Sequence, residues 1–340
     1  MSPIQPALDR LCADIEGLTE AMGRGVRPKD LGVLDRAGHL TLGEPGRPIS
    51  PNGACRMLRA ADGWVALNLA REDDRALVPA WVCADAPDVS SEAEAWALAE
   101  RGAAGLPCVA LIEQAALLGL PVSRVGERVG ASPPRAMVTS GMSPPGRVVD
   151  LSALWAGPLC GAILAAMGAE VTKVESQRRP DPTRETTPRF FQALNGGKTA
   201  LTLDLSRPAD QGRLRGMIEC ADILITSARP RALPSLGLDP EALFAANPSL
   251  VWVAITGHGW SGEAGRRVAF GDDAAAAGGL IDWTGAGPVF LGDALADPVA
   301  GLEAARGALL AHQAGGGLVD VSMAGAAADA AWACGLRTAV

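Results

Sequence analysis

The chain has 340 residues, of which 48% are hydrophobic and 20% charged, which excludes a disordered chain and leaves room for two domains. Its formal net charge is −8, and the 30 Lys and Arg are scattered among 38 Asp and Glu. No basic stripe stands out, so no nucleic-acid partner is expected.

Seven cysteines, an odd number with no CxxC pair, read as reduced thiols in a cytoplasmic setting. His39, His258 and His312 sit at no ligand spacing from a cysteine or from one another, so no metal site is expected. Apolar stretches such as residues 103–120 are broken by Gly, Pro, Glu and Gln, and no membrane span is predicted. The N-terminus lacks the basic flank and apolar run of a secretory signal.

In chain order, Leu8, Leu11 and Ile15 place a helix over residues 6–17. Pro and Gly break residues 42–52. The alternation GWVALNL predicts a strand at 63–69, and Ser and Glu residues open a helix at 90–101. A further helix at 109–118 stops at Gly119. Residues 131–146, with two Pro-Pro pairs from 131 onward, read as a linker between a smaller domain at 1–130 and a larger one at 147–340.

The larger part has a βαβ rhythm. Strands are predicted at 147–151, 170–174, 200–205, 222–226 and 251–256, with helices at 157–167, 208–220 and 240–246. That order gives an α/β fold with a Rossmann-like, largely parallel sheet beside a smaller α/β domain. The sequence ALWAGP at 153–158 lies where a strand hands over to a helix, a place that favours anions. Glu175, at the end of the next strand, suits either a ribose hydroxyl or solvent. Asp297 and Pro298 together mark a helix start, with Asp297 either a structural N-cap or a carboxylate nucleophile.

Five stretches, in order, carry a resemblance. They are RVVDLSALWAGPLCGAILAAMGAEVTKVE at 147–175, NGGKTALTLDL at 195–205, ADILITSARPRALPSLGL at 221–238, NPSLVWVAITGHGWSG at 247–262, and LADPVAGLEAARGALLAHQAGGGLVDVSMAGAA at 295–327. Together they make residues 147–330 resemble the class III CoA-transferase family, which includes formyl-CoA transferase, carnitine CoA-transferase and α-methylacyl-CoA racemase.

The resemblance implies an enzyme that moves CoA between an acyl-CoA thioester and a carboxylic acid through an aspartyl covalent intermediate. It implies no permanently bound cofactor, with the CoA thioester as substrate, and a homodimer. The family's aspartate is followed four residues later by glycine. Asp297 and Gly301 fit that spacing, with Asp293 in reserve. Coenzyme A contacts carry over to Leu154, Trp155, Ala156, Leu203, Ser227 and Arg229.

The chain also departs from the family pattern. Asp272 stands where racemases of the family have a histidine, and NGGK and TSARP replace the usual Asn-Arg-x-Lys and Glu-Asn-Phe-Arg-Pro. Residues 55–125 resemble the family's small domain weakly and come first, which reads as a permuted order. An acyl-CoA racemase or isomerase of the same family, or a non-catalytic acyl-CoA-binding homologue, is the alternative.

Overall fold

The structure, a computed structural model, describes residues 3–84, 89–131 and 143–336. Most of the proposed linker, residues 132–142, lies outside the described residues.

The chain is built round a six-stranded sheet in the order β11-β8-β7-β4-β5-β6, every neighbouring pair parallel. The strands are β4 (Arg147–Asp150), β5 (Glu170–Ser176), β6 (Thr199–Leu203), β7 (Ile223–Thr226), β8 (Val251–Thr256) and β11 (Gly317–Ser322). Helices follow most of these strands, because a parallel neighbour can be reached only by a crossover. Period-two alternation sends side chains to the two faces. Val148, Ile223, Ile225, Val251, Val253 and Ile255 join one core, and Val149, Leu224, Trp252 and Ala254 the other.

The first core is covered by the Ala156–Ala166, Ala296–Ala314 and Met323–Ala333 helices, and the second by Pro208–Glu219 and Pro240–Ala246. The chain starts at β4, winds outward through β5 and β6, then returns to β7 on β4's other side. The carboxyl ends of β4 and β7 therefore border the switch point where ligands bind in doubly wound sheets.

The smaller body is an antiparallel sheet of β1 (Cys55–Ala60), β2 (Gly63–Asn68) and β3 (Val122–Arg124), backed by the Glu92–Ala104 and Cys108–Leu118 helices. Its own core includes Trp81, Trp96 and Leu111. A hairpin of β9 (Ile281–Thr284) and β10 (Gly287–Phe290) meets it through Cys55, Met57 and Ala66.

The N-terminal helix, Gln5–Ala21, does not belong to this smaller body. Ile4, Leu8, Leu11, Ile15, Leu18 and Val33 are buried in the first core of the large sheet. The division expected at residue 130 thus has a second crossing: the first 33 residues pack with the large unit and the chain then passes to the small one. Among the described residues no helix is long and apolar enough to cross a membrane.

Candidate active site

Asp297 sits in the first turn of the Ala296–Ala314 helix, two positions past the N-cap. The helix begins at Ala296 with Leu295 in the cap position, so Asp297 is not the N-cap of this helix. The carboxylate is instead turned towards the Ala156 N–H at the start of the neighbouring helix, and the residue is only 9% exposed.

Two glycines make this placement possible. A methyl group at Gly301 would stand 2.7 Å from the Ala156 carbonyl oxygen and 2.8 Å from Leu159 Cδ2, so only glycine lets the two helices approach closely. A Cβ at Gly271 would fall 1.9 Å from Asp297 Oδ2. The aspartate-to-glycine spacing thus has a packing cause: one turn below the carboxylate, the helices must touch.

Two further carboxylates, Asp272 and Asp293, stand near it, and a third, Asp273, neighbours Asp272. Asp272 accepts the Ala294 N–H at 2.7 Å on Oδ1 and Asn52 Nδ2 at 2.7 Å on Oδ2. Asp293 takes the Arg36 guanidinium on both oxygens, at 2.5 and 2.9 Å, and Asn52 Nδ2 at 2.7 Å. Asp273 accepts the Phe270 N–H at 2.8 Å and the Ser123 hydroxyl at 3.3 Å. Arg36 also lies 5.0 Å above the Trp155 ring.

One guanidinium, that of Arg36, serves Asp272, Asp293 and Asp297. Burial pushes Asp297 up to about 7; Arg36 opposes the rise, whereas Asp272 and Asp293 add to it. Burial likewise lifts Asp272 to about 6, with Asp293 adding, and Asp273 to about 8.

A cavity of about 290 Å³ opens on Asp297 at the switch point. The loop after β4 supplies Ala153, Leu154, Ala156 and Gly157, and the loop after β7 supplies Ser227 and Arg229. The two loops are tied by the Ala153 N–H donating to Ser227 Oγ at 3.0 Å. Arg71, Arg179, Arg229 and Arg267 also line the cavity. Arg71 pairs with Asp74, and Arg267 with Glu127. Arg179 and Arg229 have no carboxylate partner among the described residues. Burial lowers the Arg229 pKa, and repulsion from Arg231, Arg71 and Arg179 lowers it further. Crowded guanidinium groups in a cavity favour a multiply charged anion such as a phosphate.

Leu154 has φ +70°, a left-handed conformation costly for a branched side chain. Its N–H donates to Asp181 at 3.1 Å, and Asp181 also receives Lys173 Nζ at 3.1 Å, so a buried ion pair holds the loop in shape.

The residues expected to contact coenzyme A divide. Leu154, Ala156, Ser227 and Arg229 line the cavity beside Asp297. Trp155 turns away: its indole N–H donates to the Val33 carbonyl at 2.9 Å and its ring packs edge-on against Phe190. Leu203 lies in the core on the far face of the sheet and lines no described cavity. The last inward-facing position of β6 is apolar because a helix covers it. Glu175 is held by Arg184 and by the Asp181 N–H. His258, buried and kept neutral by desolvation and by Arg267 and Arg128, does not line the cavity that opens on Asp297. Sequence reasoning missed Arg36 and Asn52, which lie in a Pro- and Gly-rich stretch with no motif, and Arg71 and Arg179, single arginines among many.

Residues 146–334 match the model of CoA-transferase family III. The chain belongs to that family. A succinyl-CoA–D-citramalate CoA-transferase of Chloroflexus aurantiacus is 35% identical over 178 residues, 49% of this chain and 44% of the relative. A succinate–glutarate CoA-transferase of Agrobacterium fabrum is 36% identical over 129 residues, 34% of this chain and 32% of the relative. Among solved structures, a CAIB/BAIF family protein from Brucella suis is similar with a TM-score of 0.50 and 30% identity, covering 54% of this chain and 53% of that one. In these comparisons the chain spans about half, or less, of the relative's length.

Proposed function

We propose that the protein transfers CoA from an acyl-CoA thioester to a carboxylic acid, with Asp297 as the covalent nucleophile. One observation carries this reading. A buried carboxylate at a helix start, facing the start of a second helix, forms part of the wall of an arginine-lined cavity at the switch point of a doubly wound sheet.

The chemistry balances without water. Ionised Asp297 attacks the thioester carbonyl carbon, the C–S bond breaks, and CoA leaves as thiolate. The thiolate then attacks Cγ of Asp297 in the mixed anhydride, releasing the donor as a carboxylate and leaving an aspartyl-CoA thioester. The acceptor carboxylate attacks that thioester, CoA leaves again, and the thiolate takes the acceptor's acyl carbon, which regenerates Asp297. Splitting one difficult transfer into such steps lowers each barrier. The Ala156 N–H, at a helix start, is placed to donate to the oxyanion that develops at Asp297 Cγ. Arg179 and Arg229 serve the nucleotide phosphates.

Asp293 is a poorer nucleophile, since Arg36 and Asn52 occupy both of its oxygens. Asp272 is similarly occupied, and no histidine lines the cavity, which weighs against proton abstraction beside the thioester and hence against a racemase.

The test is mass spectrometry after mixing with acyl-CoA donors and trapping with hydroxylamine or borohydride. The expected adduct maps to Asp297, persists in Asp293→Ala and vanishes in Asp297→Ala. Binding of CoA with no adduct from any donor would remove the nucleophile and leave a binding protein.

A further inference from the structure

A second cavity, of about 690 Å³, lies behind the first. Trp155 and Pro298 line it, and their chain neighbours Ala156 and Asp297 line the arginine-rich cavity. The two spaces are therefore neighbours, meeting at Trp155–Ala156 and at Asp297–Pro298. Their chemistry is opposite. The larger one is walled by Leu8, Leu34, Leu40, Leu42, Leu291 and Leu295. Lys29 is the only cation among its lining residues; it sits at the exposed rim and pairs with Asp9 at 2.8 Å. Asp35 adds negative charge at the exposed rim, while the Asp293 carboxylate is already taken by Arg36.

We propose that this cavity receives the hydrocarbon chain of the acyl group, so that the substrates are apolar monocarboxylic acyl-CoAs of medium or greater length rather than dicarboxylic ones. This rests on the reading of Asp297 as the transfer site and specifies its substrate class. A thioester reacting at Asp297 has two ends. The nucleotide end requires cations, and only the smaller cavity supplies them in numbers. The acyl end then extends towards the leucine-walled space. A dicarboxylic acyl group would set its distal carboxylate among these leucines with no free cation in the lining to meet it, which is costly away from water. An alkyl chain gains with every methylene buried there. Most of this wall comes from residues 3–51, a stretch that precedes the region matching the family model, so the acyl preference is a property of this chain's own N-terminal segment.

Titration calorimetry in the Asp297→Ala background, where turnover is blocked, compares CoA, succinyl-CoA and octanoyl-CoA. Octanoyl-CoA is expected to bind about tenfold or more tighter than CoA, with succinyl-CoA close to CoA itself. Leu40→Lys and Leu42→Lys, at half-buried wall positions, should abolish the octanoyl advantage and leave CoA affinity unchanged. Tighter binding of succinyl-CoA than of octanoyl-CoA would overturn the proposal. So would an octanoyl advantage that survives both substitutions. If they instead disrupt a dimer and leave the octanoyl affinity intact, the cavity belongs to a second copy of the chain. Failure of the Asp297 reading looks different: an intact octanoyl preference with no trapped adduct in the wild-type protein.

Discussion

Two groups of buried charge lie on either side of the Ala156–Ala166 helix, and they are built on opposite plans. On one side, Lys198 meets Asp150 at 2.8 Å together with the Asn195 side chain and the Pro158 carbonyl, while Lys173 meets Asp181. Cations and carboxylates match one for one. Burial alone would raise the Asp150 pKa, but Lys198 and Lys173 outweigh it and hold the carboxyl below its usual range. On the other side, Asp272, Asp293 and Asp297 share Arg36, with Asp273 next to Asp272, and three of the four are pushed upward. Balanced charge fixes the shape of the loop after β4. Unbalanced charge leaves Asp272, Asp273 and Asp297 raised towards neutrality, the range in which the proposed nucleophile, Asp297, is both available and weakly solvated.

The contrast can be broken at each side. Asp297→Asn should cut transfer by about 10⁴-fold or more, while its denaturation midpoint stays level or rises, because a carboxylate is removed from an acidic group. Had Asp297 a purely structural role, both readouts would fall together.

Lys198→Met should do the reverse in kind. It strands Asp150 without its partner and is expected to cost about 3–5 kcal/mol of stability, read by chemical denaturation. A loss under about 1 kcal/mol, the scale of an exposed pair, would show that water reaches the site.

Arg36→Met removes the cation that restrains Asp297. The rate should rise with pH as Asp297 ionises, with a midpoint near its value of about 7 in the wild type. In the variant that midpoint should move up by about one pH unit, as seen in kcat/KM profiles. An unmoved midpoint would assign the profile to another group.

A further effect lies in the pH dependence of stability. Asp272, Asp273 and Asp297 have folded-state pKa values above the unfolded value of 3.8, so the native state holds more protons. Stability should therefore fall as pH rises from about 4 towards 8. Asp150 has the opposite sign: its contribution is present above the unfolded pKa and is lost on acidification through its depressed folded value. Thermal midpoints at several pH values, with Asp273→Asn flattening the upper limb, check both signs.

Local sequence carried much of this design. The runs RVVD, ILIT and VWVAIT are short and apolar because both faces of their strands are covered, and so they could be read directly. Asp297 with Gly301 was legible through the family resemblance, and the close helix crossing gives that spacing its packing reason. β1, β3 and the β9–β10 hairpin were not legible: their residues pair with distant or irregular partners and carry weak alternation. Trp155 and Leu203 show the limit of motif spacing. Spacing places a residue on a loop or strand end, but the rotation of the backbone there decides whether the side chain faces ligand or core.

What the sequence determined by itself was the order of the elements, the apolar faces that build a doubly wound sheet, and the aspartate at a helix start. The tertiary structure alone decided which charges meet. Arg36 and Asn52 reach Asp293 across 257 and 241 positions of chain, and the N-terminal helix packs on the sheet that begins more than a hundred residues later. A pKa, a cavity wall and a substrate preference depend on distances in space. Those distances are fixed by packing between segments whose separation along the chain leaves no local trace.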